Sequence, residues 1–373
     1  MEFPPVYFDA LNAVEGIEPT AKNIERLSER FGVGTTQWAF SQWQLRRRGR
    51  EKFVRADRML FVREALEQAS HERVAAYHAS LFPSGARVMD MTAGIGGDML
   101  ALAARCGAVG YELDPERACC LRWNLSISGL SAEVCEGDSV AALGSYDYVF
   151  ADPARRVGGK RTLRVEEFTP DPIRIAHEMA QRRLGVIKLS PLVPDETLVS
   201  LGGKLEFVSW KGECREVLVH CGADAEAGRW AVQLDSNSRL ESSHDPRITN
   251  DPGEFIFEAD PAAVRAHALG SLATKHQLEA LGSSTGYLTG HEATVSPWLT
   301  AYRNLVRLPF DIKKISDELK RRNARAEAVK VKGANVRPAE ILAKLPRKGE
   351  ESVFVAIYLQ GGKPRVLVLS RLT

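Results

Sequence analysis

The stretch "MDMTAGIGGD", Met89–Asp98, decides how this chain is read. Before it, "RVMDM" is an apolar run of strand length. After it, "GGDMLALAARCG" has helical spacing and closes at Gly107. Gly94, Gly96 and Gly97 let the backbone come close to a ligand, since no Cβ stands in the way. The same rhythm continues outward. "AVGYEL" predicts a strand, and "DPERACCLRWNLSISG" a helix with Pro115 in its first turn. "AEVCEG" and "YDYVFAD" predict further strands, "PDPIRIAHEMAQRR" a helix and "LGVIKLS" a strand. Such alternation predicts an α/β fold with a mostly parallel sheet covered on both faces. "KLEFVSW" and "REVLVHC" follow as adjacent strands with a tight link, so the sheet is expected to finish in an antiparallel hairpin.

Acidic residues recur at the carboxyl ends of four successive strands: Asp90, Glu112, Asp138 and Asp152. Open α/β sheets bind their ligands at that edge. Glu112 follows Gly94 by 18 residues, a spacing at which a carboxylate can accept both hydroxyls of a ribose. Asp114, directly before Pro115, fits a helix N-cap better than Glu112 does. A glycine turn of this kind serves both dinucleotide and S-adenosylmethionine (SAM) folds. The full G-x-G-x-x-G pattern is absent, because position 99 is Met, and no GxxxxGK[ST] phosphate loop exists. A nicotinamide-dependent oxidoreductase stays open as a rival on these residues alone.

"FADPARR", Phe150–Arg156, ends the fourth strand. Asp-Pro pairs are usually turns. At this edge the pair could instead hold a substrate atom.

"DMTAGIGGD", "ELDPE", "EGDS" and "FADPARR" together resemble motifs I to IV of class I SAM-dependent methyltransferases, in particular a bacterial group with a THUMP-like C-terminal domain. "REALEQAS" at 63–70 is similar to the helix before motif I in that group. Residues 255–298 resemble its small ferredoxin-like piece, and "VRLPFDIKKISDELK" through "ANVRPAEILAKL" resembles its THUMP-like module. The resemblance implies a Rossmann-like sheet and SAM as cofactor. It places Asp90 near the ammonium group of SAM, Gly94 and Gly96 along its methionine and ribose portion, Glu112 on the ribose and Asp138 at the adenine amine. Thr92 stands where the wider family has its first glycine and counts among the cofactor-binding residues, since TAG-type loops are usual in nucleic-acid methyltransferases. Asp152 and the Pro153 carbonyl would accept the hydrogens of an exocyclic amine, as Asn/Asp-Pro-Pro-aromatic does elsewhere. Here Ala154 replaces the second Pro and Arg155 the aromatic. Arg155 and Arg156 could then stack on a base or bind phosphate. Pyrimidine carbon-5 chemistry needs a cysteine that adds to the ring, and none stands in "FADPARR" or "KLSPLVP". An exocyclic amine or ring nitrogen of structured RNA is the expected target. A SAM-binding scaffold without turnover, or a small-molecule or protein methyltransferase, stays open.

Charge supports a polyanionic partner. The formal net charge is +2, but residues 303–373 hold 17 Lys+Arg against 7 Asp+Glu. A basic module on an acidic body fits RNA. The 373 residues are expected to divide into a helical region (1–80), the sheet domain (81–250), a small α+β piece (251–300) and the basic module (301–373). "QLRRRGREKFVR", beside Trp38 and Trp43, adds a basic-aromatic run in the helical region. "RADRMLFVREALEQASHERVAAYHASLF" predicts a long amphipathic helix ended by Pro83. Six cysteines without CxxC pairs or zinc spacing, no secretory signal and no membrane-length apolar run lead to the expectation of a cytoplasmic protein without metal.

Overall fold

The computed structural model describes residues 3–154, 164–284 and 286–372, with the backbone of 156–157 and 160–161. The chain forms two compact units. One comprises Met1–Gly203 with Leu218–Glu226, the other Lys204–Val217 with Ala227–Thr373.

The first unit opens with α1 (Pro5–Val14), α2 (Ala21–Phe31) and α3 (Val33–Gly49). Thr20 caps α2 by accepting from the Asn23 amide, and Gly32 ends it at φ +82°, where a side chain would be strained. The apolar faces of these helices bury Leu11, Phe40 and Leu45 in a cluster that also takes in Ile95 and Cys120. The helical region and the glycine turn therefore share one core.

The long helix expected over 55–82 is broken. Ala56–Arg58 form one 3-10 turn, residues 59–62 run without helix, and two short helices follow, α4 (Arg63–Gln68) and α5 (Glu72–Ser80). Two side chains make the break. His71 accepts from the Arg73 amide and starts α5 afresh. Lys52 Nζ donates to the carbonyls of Leu66, Glu67 and Ala69 at 2.8, 2.9 and 2.7 Å, closing the end of α4.

Then the alternation begins: β1 (Arg87–Asp90), α6 (Met99–Arg105), β2 (Gly107–Glu112), α7 (Pro115–Ile127), β3 (Glu133–Glu136) and β4 (Tyr148–Ala151). A two-stranded ribbon, β5 (Arg156–Val157) and β6 (Lys160–Arg161), precedes α8 (Pro172–Met179), β7 (Leu184–Leu189) and α9 (Asp195–Leu201). The order β7-β4-β1-β2-β3 is parallel at every pairing. Asp114 caps α7 by accepting from Glu116 and Arg117, as its place before Pro115 predicts.

β8 (Lys204–Trp210), in the second unit, neighbours β9 (Glu213–Cys221), as expected; β9 passes from the second unit to the first at Leu218, and β8 has a further neighbour. β10 (Gly228–Gln233) pairs parallel with β8, and β11 (Ser238–Glu241) closes the edge antiparallel to β10. The terminal hairpin is thus β10–β11. The remaining elements are β12 (Ile248–Thr249), β13 (Phe255–Ala259), α10 (Pro261–Arg265), α11 (Leu269–His276), β14 (Glu279–Leu281), β15 (Tyr287–Gly290), β16 (Leu299–Pro309), α12 (Ile312–Arg321), β17 (Ala324–Lys332), α13 (Pro338–Leu342), β18 (Glu351–Gln360) and β19 (Lys363–Arg371). The last eight strands form one sheet in the order β12-β14-β15-β13-β16-β19-β18-β17. Alternate residues of β18 and β19, such as Val355, Ile357, Val366 and Val368, bury a core under α12 and α13.

Among the described residues no helix is long and apolar enough to cross a membrane, and no group of His, Cys, Asp and Glu could hold a metal. Cys106, Cys119, Cys120 and Cys221 are buried and no cysteine forms a disulfide.

Candidate active site

The carboxyl ends of β1, β2, β3 and β4 open onto a cavity of about 320 Å³. That size falls in the ~300–1,000 Å³ range of small-molecule sites. The β1–α6 turn supplies its floor through Thr92, Gly94 and Asp98, and α4 supplies a wall through Ala65, Gln68 and Ala69. Gly94 sits at φ +55°, and a Cβ there would meet nothing closer than the Thr92 carbonyl at 3.9 Å. The backbone is therefore bare toward the cavity. Gly97 serves packing instead, since its Cβ would stand 3.0 Å from the Ser70 amide.

Glu112 is locked in place. Its two carboxylate oxygens each accept a backbone N–H at 2.9 Å, Oε2 from Gly94 and Oε1 from Asp114. A carboxylate oxygen has a second lone pair, so both can still accept from a vicinal diol. Asp138 lines the cavity while its Oδ1 accepts from the Val140 amide. These two acids, with bare backbone between, suit a nucleoside.

The end of β4 is organised differently. The Asp152 amide donates to Thr92 Oγ1 at 2.7 Å, and the Asp152 carboxylate accepts from Lys188 Nζ at 2.6 Å. Lys188 also donates to Ser70 Oγ at 3.0 Å. Ser70 donates in turn to Asp98 Oδ2 at 2.8 Å, and Asp98 Oδ1 lies 2.7 Å from His78 Nδ1. Burial alone would push the Asp98 carboxyl up; the charge and hydrogen bond of His78, with Lys188 and Ser70, outweigh it and hold Asp98 below the usual range. Asp98 is thus a carboxylate, and His78 Nδ1 is the donor. His78 is fully buried and stacks on Phe150, centroids 5.2 Å apart.

Of the five other Asp-Pro pairs, three, at Asp114, Asp171 and Asp260, use the carboxylate to cap a helix. Asp152 caps none. After Pro153, Ala154 makes an antiparallel bridge to Thr169.

The expected site residues fall into three groups. Thr92, Gly94, Glu112, Asp138 and Asp152 line the cavity together. Asp90 and Gly96 stand outside its lining. Asp90 is 1% exposed, and its Oδ1 accepts from the Thr92 amide. Burial, then the nearby Asp98, pushes its carboxyl up to about 8. Gly96, at φ +105°, turns its bare face toward Leu121 and Leu100. Pro153 is buried beside Asp152. Arg155 and the Arg156 side chain lie outside the described residues. Lys188, Ser70, Asp98, His78 and Lys52 escape the reading of the sequence. A lysine inside the apolar run "LGVIKLS" is the one signal that could have drawn attention there.

A protein described as an uncharacterized S-adenosylmethionine-dependent methyltransferase of Mycobacterium tuberculosis is 30% identical over 342 residues, covering 88% of this chain and 94% of that protein, and the same match is found in two strains. The chain belongs to the S-adenosylmethionine-dependent methyltransferases. A family model of THUMP domain-like modules matches residues 299–371 of this methyltransferase. A solved protein of Porphyromonas gingivalis W83, described provisionally as a methyltransferase, shares the fold across the whole of both chains, with a TM-score of 0.81 at 21% identity. The methyltransferase therefore joins a class I sheet to a THUMP-like module and uses SAM.

Proposed function

We propose that this methyltransferase transfers the methyl group of SAM to a base of structured RNA, at an exocyclic amine or a ring nitrogen. The observation that carries the target chemistry is the Asp152 carboxylate, held by Lys188 on the cavity at the end of β4. SAM supplies a methyl carbon on a cationic sulfur. A nitrogen lone pair can attack that carbon once it is aimed, so the protein contributes mainly position and electrostatics. Glu112 would accept the ribose hydroxyls, Asp138 would face the adenine amine, and Gly94 would let the methionine portion lie against the backbone. Asp90 would act on this site through the Thr92 amide it holds. Asp152 and the Pro153 carbonyl would accept the hydrogens of the target amine. Arg155 and Arg156 would contact the base or its phosphate.

The basic module supports RNA as partner. Lys313, Lys314 and Lys320 of α12, and Lys344, Arg347 and Lys348 after α13, are exposed and have no ion pair among the described residues. Unpaired exposed cations on a compact module suit a phosphate backbone. Nucleoside mass spectrometry on RNA from cells lacking the protein, before and after incubation with enzyme and SAM, tests the reading. A new methylated nucleoside is expected; none, with SAM bound and intact, points to a different acceptor.

A further inference from the structure

We propose that Lys188 is a positioning residue for methyl transfer: it fixes the Asp152 carboxylate as a charged hydrogen-bond acceptor at the reaction centre, and Ser70, Asp98 and His78 hold it from behind. The role rests on the reading that Asp152 receives the acceptor group.

Lys188 is out of place in its strand. Val186, Ile187 and Leu189 of β7 are buried, and the Lys188 side chain is only 14% exposed. Burying an ammonium is costly unless it is paired and hydrogen-bonded. Lys188 meets this cost with Asp152, the one acid at the end of its neighbouring strand, and with Ser70. Ser70 Oγ accepts from the ammonium while its hydroxyl donates to Asp98, and Asp98 is fixed by buried His78.

The charges around the pair explain why a cation is needed. Asp90 on β1, Glu112 on β2 and Asp98 before α6 face the same region, with His78 on α5 and Lys52 near the end of α4. Burial above all raises the Asp90 carboxyl, and Asp98, Asp152 and Glu112 add to the effect, so these acids lie close enough to act on Asp90. Like charges favour the protonated form of a carboxyl group, and an adjacent cation favours the ionised form. A protonated Asp152 would offer a donor where amine hydrogens need an acceptor. Lys52 does not compete for Asp152, because its ammonium donates to three backbone carbonyls.

The pair also decides where the proton goes. In the transfer the acceptor nitrogen forms a bond to the methyl carbon, and the carbon–sulfur bond breaks with its electrons passing to sulfur. An exocyclic amine nitrogen is then cationic and loses one proton. A carboxylate bonded to an ammonium is a poor base, so Asp152 orients the nitrogen and water takes the proton.

The test is carboxyl NMR of the full chain labelled with 13C at aspartate, with Asp152→Asn to assign the resonance. In Lys188→Gln the Asp152 carboxyl should titrate about one pH unit or more above the parent, the lower end of what an adjacent opposite charge produces. Lys188→Arg should restore the parental titration, and Ser70→Ala should give a smaller upward shift in a protein that folds even if Lys188→Gln does not. SAM affinity should stay parental in all three, while kcat on a methylatable RNA falls at least tenfold in Lys188→Gln and its acid limb moves up. An Asp152 titration unmoved in both Lys188→Gln and Ser70→Ala would overturn the proposal. The titration needs no acceptor, so failure to methylate RNA would count against the substrate reading and leave the pair standing.

Discussion

Asp152 and Lys188 are joined at 2.6 Å across neighbouring parallel strands, β4 and β7. Ala151 is in register with Ile187, so the two charged residues are the next pair along, and of the two Asp152 lines the cavity. The ion pair separates Asp152 from the Asp-Pro pairs that only start helices, and it gives the end of β4 a defined charge.

Glu112 should prove necessary for SAM binding. Glu112→Ala removes the carboxylate proposed to accept the ribose hydroxyls, each charge-assisted bond contributing ~1.5–3 kcal/mol. Affinity should drop at least tenfold by calorimetry. Glu112→Gln keeps one carbonyl oxygen and should fall between the two. Unchanged affinity in a folded Glu112→Ala protein would refute the assignment.

Asp90 makes stability depend on pH. Its folded carboxyl titrates near 8, above the unfolded value of 3.8, so the folded state holds the extra proton between them. Stability from Asp90 is present at low pH and is lost as pH rises through that window, at up to about 1.4 kcal/mol per pH unit. Asp90→Asn keeps the shape and has no proton to lose. The melting temperature of the parent should therefore fall relative to Asp90→Asn from about pH 4 to about pH 8 and then stop falling. A constant difference across that range would contradict the assignment.

Lys52 should support the cavity wall. Its three bonds close the end of α4, whose Ala65 and Gln68 line the cavity. Lys52→Met should lower the melting temperature and weaken SAM binding severalfold, with hydrogen exchange rising first at residues 66–70. Exchange there at the parental rate would show that the clamp is dispensable.

The core of the fold was legible because β1, β2 and β4 are short, largely apolar runs, and glycine or Asp-Pro signals punctuate β1 to β4. That Glu112 and Asp152 come to one cavity was legible because acids at strand ends meet at one edge of such sheets. The rest was hidden for physical reasons. The break at Ala69–Ser70 depends on Lys52 and His71, which act across turns that no helical period records. Lys188 reads as one polar residue in an apolar strand, and only the packing brings it to Ser70, 118 residues away. The glycine pattern also does not record that the bare face of Gly96 turns toward Leu121 and Leu100.

The basic module should give RNA binding its salt dependence. β16 lies between β13 and β19 in the sheet, so deleting the module would open the fold, and charge substitutions are the cleaner probe. Replacing Lys313, Lys314 and Lys344 with Gln should reduce the slope of log affinity against log salt by about two if those cations meet phosphates. SAM affinity should not change. A slope equal to the parental one would remove these lysines from the interface.

Asp152 is expected to hold the methyl acceptor beside bound SAM. Single-turnover transfer of tritiated methyl from SAM to RNA of cells lacking the protein tests it most directly, comparing the parent with Asp152→Ala at saturating SAM. A folded variant that binds SAM normally and transfers ~100-fold more slowly or worse is expected, because a misplaced acceptor loses the advantage of proximity. Transfer at the parental rate by a normally melting Asp152→Ala protein would contradict it.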